Sequence, residues 1–250
     1  MQIIISPAKK MVQDTDSLPW QDLPYFIKKS CRIAQCLQQM DQKSLQKLWR
    51  CSDKLAEKSF AMLQQMDLYH RLTPAILAYE GIQYQYMAPG VFTQEELCYL
   101  QRSLRILSGF YGVLRPLDGV AGYRLELASG LKVDGAKDLY AFWGNEPALL
   151  LQRETDCVLN LASAEYSRLV RGHLDGQVRW VDCVFWDKTP SGRLVEKGTL
   201  CKMARGEMVR YLTEQKAEEP DCMRRFDRLG FRYWPEQSAP DRYCFLRGLK

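Results

Sequence analysis

The stretch Leu104-Arg-Ile-Leu-Ser-Gly-Phe-Tyr-Gly-Val-Leu-Arg-Pro-Leu-Asp118 has the most informative local pattern in the chain. Upstream of it, Thr93 and Glu96 form the sequence signature of a capping box, and leucines then follow at helical spacing. This helix is expected to end at Gly109, because glycine tolerates the left-handed conformation. A second short helix is predicted after the glycine turn. Residues 94–118 are therefore predicted to form a helix-hairpin-helix-like element.

Working outward from this element, helix and strand patterns alternate along the chain. The β-branched run Ile3–Ile5 predicts a buried strand that ends in a loop at Ser6. Residues 22–66 predict two or three helices, and residues 76–92 an extended segment. Further strands are expected at 123–127, 157–162 (followed by Ser163 at a helix start), 178–186, 231–234 and 243–246, and further helices from Asp138 and over 200–213. This interleaving predicts a mixed α/β (α+β) fold, as a single compact domain over residues 1–250, with a central mixed sheet flanked by helices.

Composition limits the classes of function. Thirty-five basic and 30 acidic residues give a net charge of +5, which permits a nucleic-acid partner without requiring one. The nine cysteines are scattered, without a C-x-x-C pair, and there are only two histidines, so neither a disulfide framework nor a metal site is expected. Most of the cysteines are predicted to be buried and reduced. The amino terminus resembles neither a signal peptide nor a membrane span, so a cytoplasmic protein with no cofactor is expected.

Arginines are concentrated around the predicted hairpin, since the segment from Gln101 to Arg124 contains four arginines and a single acidic residue. In a helix-hairpin-helix, glycines let the backbone approach phosphates, and amides at the next helix start donate to them. The alternative is a helical turn with solvated arginines, and here the turn is one residue longer than usual. On the first interpretation, the DNA-binding candidates are Arg105, Ser108, Gly109, Gly112, Arg115 and Arg124.

A second set of candidates lies where strands and helices begin or end. The loop Ser6-Pro7-Ala8-Lys9 follows a predicted strand and can place a lysine at the carboxyl edge of the sheet, although the Walker glycines are absent. Surface lysines and ordinary helix caps are the alternative explanation. The pocket candidates are Ser6, Lys9, Asp53, Lys54, Asn160, Ser163, Lys202 and Arg205. Of these, Lys9, Lys202, Lys54 and Asn160 are the candidates for catalysis.

Several segments together resemble the YaaA family of peroxide stress proteins. The resemblance runs nearly end to end. Its motifs are Ile-Ile-Ser-Pro-Ala-Lys (4–9), Ser-Asp-Lys-Leu-Ala (52–56), the block Leu-Ser-Gly-Phe-Tyr-Gly-Val-Leu-Arg-Pro-Leu-Asp (107–118), Tyr-Arg-Leu-Glu (123–126), Lys-Asp-Leu-Tyr-Ala-Phe-Trp-Gly (137–144), Asn-Leu-Ala-Ser-Ala-Glu-Tyr (160–166) and Lys-Met-Ala-Arg-Gly (202–206). The resemblance implies a bacterial cytoplasmic protein that limits peroxide damage to DNA. It also implies binding of duplex and distorted DNA through a helix-hairpin-helix beside a basic cleft. It brings no established enzyme activity and no cofactor.

Two hypotheses follow from the sequence. The first is a DNA-binding protein of the peroxide stress response that grips duplex or branched DNA, with a monomer favoured and no membrane partner. The second is a DNA- or nucleotide-processing enzyme, lyase-like or hydrolase-like, in which a desolvated lysine acts as nucleophile or base. Iron storage fits poorly, because the helices lack the Glu-x-x-His pattern of ferritin-like sites.

Overall fold

Strands and helices alternate along residues 1–249, the part of the chain that the computed structural model describes. The strands are β1 Gln2–Ile5, β2 Lys10–Met11, β3 Thr73–Pro74, β4 Tyr79–Glu80, β5 Leu104–Ser108, β6 Gly112–Leu114, β7 Gly119–Val120, β8 Cys157–Leu161, β9 Arg179–Lys188, β10 Leu194–Val195, β11 Phe231–Tyr233 and β12 Arg242–Arg247. The helices are α1 Ile27–Gln38, α2 Gln42–Trp49, α3 Asp53–Gln64, α4 Ala75–Ala78, α5 Ile82–Met87, α6 Gln94–Ser103, α7 Leu139–Trp143, α8 Glu146–Glu154, α9 Ala164–Arg171 and α10 Gly198–Glu214, with 3₁₀ turns at Pro89–Val91, Pro220–Arg225 and Pro235–Gln237.

An eight-stranded mixed sheet runs through the centre, in the order β11-β12-β9-β8-β1-β5-β6, with β10 paired to β9. Strands β12, β9, β8, β1 and β5 are mutually parallel, whereas β6 and β11 pair antiparallel at the two edges. The chain goes from β1 to β5 on one side and then returns to β8 on the other side. The direction of winding therefore reverses between β1 and β8, which is a topological switch point of an open α/β sheet.

The middle of this sheet is buried on both faces. Every residue of β1 and β5 is buried, and helices α6, α9 and α10 pack against the sheet. A strand without an exposed face needs cover on both sides, as helices provide in α/β proteins. The predicted central mixed sheet with flanking helices is confirmed.

The predicted helix-hairpin-helix is not what the chain forms at 94–118. The capping box of Thr93 and Glu96 and the helix after it are confirmed, but α6 ends at Ser103. Residues 104–108 form the buried strand β5, and residues 112–114 return antiparallel to it as β6. The leucines of β5 fit helical spacing as well as a strand buried on both faces, so spacing alone could not separate the two. Pairing with β1 decided between them.

Other local predictions had mixed outcomes. The three helices within 22–66, the helix that Asp138 caps, and the closing antiparallel pair β11 and β12 are confirmed. Residues 76–92 were expected to be extended but are mainly α4, α5 and a 3₁₀ turn. Residues 123–127 were expected to be a strand but form no regular element. Both of these segments line the pocket described below, so their conformation follows from tertiary packing more than from local propensity.

The cysteines are all free, but the prediction that most are buried is wrong, because only four of the nine are buried. Cys31, Cys36, Cys51 and Cys222 are half-buried, and Cys98 on α6 is exposed. Cys31 and Cys36 on α1 and Cys98 on α6 lie on amphipathic helices, outside the face that each helix buries. Separately, no helix within residues 1–249 has the length and apolar character needed to span a bilayer.

Candidate functional site

A pocket opens at the carboxyl ends of β1 and β8, where the sheet winding reverses. Ser6 follows β1 and Ser163 follows β8, and the two residues are hydrogen-bonded to each other. The Ser163 backbone N–H donates to Ser6 Oγ over 2.8 Å, and the Ser6 hydroxyl donates to Ser163 Oγ over 3.2 Å. The cavity beside this pair has a volume of about 520 Å³. We call it the switch-point pocket, and its polar lining includes Ser6, Lys9, Arg124, Ser163, Lys202 and Arg205 as well as the carboxylates of Glu80, Glu126 and Glu165.

Helices α9 and α10 place three of these side chains. Helix α9 begins immediately after Ser163, and because Ser163 lines the pocket, the amino-terminal end of the helix dipole lies there. The Ser163 side chain makes no capping hydrogen bond to the helix. Helix α10 carries Lys202 and Arg205 about one turn apart on the same side. A glycine at position 206 lets α10 pack tightly on α5, since a Cβ there would clash with the Gln83 carbonyl oxygen.

Charge is unevenly compensated in the pocket. Lys9 pairs with Glu126 and Lys10 with Glu80, each at 2.7 Å. By contrast, within residues 1–249 no carboxylate lies within ion-pair distance of Arg124, Lys202 or Arg205. The carboxylate of Glu165, also in the lining, accepts a hydrogen bond from the Ala128 backbone N–H at 3.0 Å. The uncompensated cations give one side of the pocket a positive potential that attracts anions.

The pocket wall also holds buried hydrogen-bond donors that have no acceptor among the described residues. These are Trp49 Nε1, Gln83 Nε2, Arg124 Nε and Arg205 Nε. All four are N–H groups. Leaving such a group buried without a partner costs about 1–3 kcal/mol. A cluster of these donors around one cavity points to a ligand or ordered water that supplies acceptors.

Tyrosine hydroxyls support the floor of the pocket. The Tyr84 hydroxyl donates to the Ser6 carbonyl oxygen at 3.0 Å. Tyr123 bonds to Tyr79 at 2.9 Å and to the buried Ser108 hydroxyl at 2.8 Å. Burial raises the pKa of Tyr123 to about 12, so its phenol stays neutral at physiological pH. The first bond joins α5 to the loop after β1, and the other two join β5 and Tyr79 to the 123–127 segment.

The structure brings together five of the eight pocket candidates. Those that line the cavity are Ser6, Lys9, Ser163, Lys202 and Arg205. The remaining three are not in the lining: Asp53 accepts from the Gln46 side chain, Lys54 lies exposed in the first turn of α3, and Asn160 donates to Asp182 at 2.9 Å. Within residues 1–249 no group of three or more histidine, cysteine, aspartate or glutamate side chains is placed to hold a metal ion.

Most of the hairpin candidates are buried. Arg105 is 4% exposed and donates from Nε to Glu154 at 2.8 Å, and Arg115, which is partly exposed, reaches the same carboxylate at 3.0 Å. Gly109 lies against the Leu127 backbone, where a Cβ would come within 3.0 Å of the Leu127 nitrogen. Gly112 has φ of +73° and faces the Trp143 ring. Only Arg124 of this set lines the switch-point pocket.

Sequence reasoning missed the residues that complete this site. Trp49, Gln83, Tyr84 and Tyr166 all line the pocket, and none was a candidate. Gln83 and Tyr84 lie in the segment that was predicted to be extended, so their helical placement on α5 was not expected. No local sequence signal marks Gln83 or Tyr84 as a pocket residue, because their positions depend on the packing of α5 against α10.

The fold and pocket define an α/β protein with a cationic cavity at the switch point of a mostly parallel sheet. Comparison with known proteins then places it more closely. The family model described as peroxide stress protein YaaA matches residues 1–237. A UPF0246 protein of Agathobacter rectalis is 44% identical over 249 residues, covering 100% of each chain. UPF0246 proteins of Lachnoclostridium phytofermentans and Lactobacillus acidophilus are 46% and 47% identical, covering 99% and 98% of this chain and 97% and 96% of theirs. The chain belongs to the YaaA family of peroxide stress proteins.

Proposed function

We propose that this peroxide stress protein binds DNA through its sugar-phosphate backbone, and that the contact surface is the switch-point pocket with its rim. The observation that supports this most strongly is the set of uncompensated cations Arg124, Lys202 and Arg205 at the carboxyl edge of the sheet. Arginine and lysine side chains neutralise phosphates, and such contacts supply most of the affinity of DNA binding that is not sequence-specific.

The surface next to the pocket extends this basic region. Helices α2 and α3 pack against each other and are joined by a three-residue turn, in which Arg50 has φ of 47°. The end of α2 contributes Leu48 and Trp49 to the pocket, so the α2–α3 pair forms part of its rim. Exposed charged residues on this pair are the basic Lys43, Lys47, Arg50, Lys54 and Lys58 and the acidic Asp41, Asp53 and Glu57, so five positive and three negative charges leave a net charge of +2. In this proposal the α2–α3 pair, rather than the buried hairpin after α6, lies beside the phosphate backbone.

The alternative of a nucleophilic lysine has less support. Lys9 was the first candidate, but its side chain is 64% exposed and its Nζ lies 2.7 Å from Glu126. Covalent catalysis by an amine requires a desolvated neutral lysine. An exposed ammonium paired with a carboxylate is typical of a lysine that binds or stabilises. We therefore favour binding over catalysis for this residue.

A charge-reversal experiment tests the proposal. The variant Lys202→Glu/Arg205→Glu is compared with the control Arg102→Glu/Arg153→Glu, which makes the same change in net charge. Arg102 and Arg153 are exposed and precede β5 and β8, so they lie at the amino ends of the parallel strands, away from the pocket. Binding of a labelled 20-base-pair duplex is measured by fluorescence anisotropy at several salt concentrations. The site variant should bind more weakly and lose about 0.9 of the log–log salt slope for each phosphate contact removed.

The control variant should keep the wild-type salt slope, with at most a small loss of affinity from the change in net charge. Equal weakening by both variants would mean that binding follows net charge alone. Unchanged binding by the site variant would place the DNA elsewhere on the molecule. Either outcome would contradict the proposed surface.

A further inference from the structure

We infer that the switch-point pocket holds a single nucleotide unit, with its phosphate on the cationic wall and its base against the apolar wall. The cationic wall is formed by Arg124, Lys202 and Arg205, and the apolar wall by Leu48, Trp49, Ile82, Tyr84 and Tyr166. This unit has two possible sources, a free nucleoside monophosphate or a nucleotide extruded from a DNA strand. The inference rests on the proposed DNA binding only for the second source. Backbone binding alone would need a surface groove, whereas the observations below concern the interior of a cavity.

The polarity of the buried groups selects an acceptor-rich ligand. Gln83 is 7% exposed, lines the cavity, and has no partner for its Nε2 within the described residues. Trp49 Nε1 and the Nε atoms of Arg124 and Arg205 are buried there without acceptors as well. A phosphate presents oxygens that only accept, and the edge of a nucleobase adds ring nitrogen or carbonyl acceptors. A cationic ligand would leave these donors unpaired.

The phosphate is placed by the carboxyl edge of the sheet. Helix α9 has eight residues and begins directly after Ser163, which lines the pocket with Ser6, so the helix dipole there favours an anion. Glu165, in the first turn of α9, also lines the pocket, and its carboxylate accepts from the Ala128 backbone N–H. Helix α10 carries both Arg205, which can contribute a planar guanidinium, and Lys202, which can contribute a second positive charge. The unpartnered Gln83 amide is an independent sign of a ligand at the same place.

The base is placed by the size and the apolar lining of the cavity. A volume of about 520 Å³ is far more than a phosphate group requires, and it lies within the range of about 300–1,000 Å³ typical of small-molecule sites. Leu48, Trp49, Ile82, Tyr84 and Tyr166 contribute to the lining. Flat aromatic and aliphatic groups of this kind receive a nucleobase by stacking, and enzymes and binding proteins take extruded bases into such pockets.

The first arm of the experiment uses free ligands on the full chain. The 5′-monophosphates of adenosine, guanosine, cytidine and thymidine, the matching nucleosides and inorganic phosphate are each titrated by calorimetry. At least one monophosphate should bind about tenfold more tightly than both its nucleoside and inorganic phosphate, because only the monophosphate engages both walls. Gln83→Leu and the nearly isosteric Gln83→Glu, each checked for folding by thermal melting, should weaken this monophosphate about fivefold to tenfold.

The second arm compares a fully paired duplex with one in which a base faces an abasic site and is extruded at low cost. Wild type should prefer the second duplex about tenfold, and the Gln83 variants should lose that preference without losing affinity for the paired duplex. If paired DNA binds while neither arm depends on Gln83, the nucleotide site is refuted and backbone binding stands. If a monophosphate binds in a Gln83-dependent way but DNA does not, the proposed DNA function fails and the free nucleotide is the ligand. Equal binding of inorganic phosphate and monophosphates would refute the place assigned to the base.

Discussion

Replacing Gly206 with alanine tests the helix contact on which the switch-point pocket depends. Gly206 lies in the middle of α10, where the helix packs against α5. An added Cβ would clash with the Gln83 carbonyl oxygen and lie 3.0 Å from both Met87 N and Tyr86 Cβ. Two of these three atoms belong to the backbone of α5, so no flexible side chain can move aside. The two helices would have to separate.

The size of the effect follows from two opposing contributions. Alanine is favoured over glycine inside a helix by about 1 kcal/mol. Overpacking of a well-packed contact costs about 1–3 kcal/mol, and occasionally more where the structure cannot relax. Because backbone atoms form most of this contact, we expect a cost of about 3 kcal/mol, at the upper end of that range, and a net loss of about 2 kcal/mol. In a chain of this length, such a loss corresponds to a decrease in Tm of about 4–8 °C.

Calorimetry or circular dichroism gives the melting temperature, and Gly198→Ala is the matched control. Gly198 is the first residue of the same helix, and an added Cβ there would have nothing within 4 Å. The control should be neutral or gain up to about 1 kcal/mol, since alanine restricts the unfolded chain. If Gly206→Ala melts at the temperature of the wild type or above it, α5 and α10 are not in the contact described, and the placement of Gln83 and Arg205 in one pocket fails with it.

Two further variants test the hairpin region. Burial raises the pKa of Asp118 from 3.8 to about 7, so the free energy of unfolding contains a contribution that is complete below about pH 4 and is lost as pH rises to 7. Asp118→Asn should therefore gain stability relative to wild type as pH rises over this range, by up to about 4 kcal/mol. Urea unfolding of both proteins at pH 4.5 and pH 8 measures this gain, and a difference between variant and wild type that stays constant with pH would contradict it. Gly112→Val should destabilise by about 2–4 kcal/mol, because φ is +73° and a Cβ would lie 2.9 Å from the Trp143 ring, while the folded protein keeps its DNA affinity. Weaker DNA binding by Gly112→Val with an unchanged Tm would instead make the hairpin part of the interface.

The sequence alone predicted those features whose causes are local. The capping box of Thr93 and the cap at Asp138 mark helix starts within four residues, and the β-branched run of β1 marks a buried strand. Ser6 and Ser163 were recognisable as candidates because each follows the end of a predicted strand. The carboxyl ends of parallel strands meet at one edge of a sheet, so adjacency in sequence to a strand end carries information about position in space.

Tertiary structure decided the rest, and residues 104–108 show why. Their leucine spacing satisfies a helix and a fully buried strand equally well, and only pairing with β1, about 100 positions away, selects the strand. In the same way, Gln83 on α5 and Arg205 on α10 line one pocket only because Gly206 allows the two helices to touch. The bond between Ser6 and Ser163 spans 157 positions in the chain. Such contacts could not be predicted from the sequence, because no local pattern encodes which distant surface a buried side chain will face.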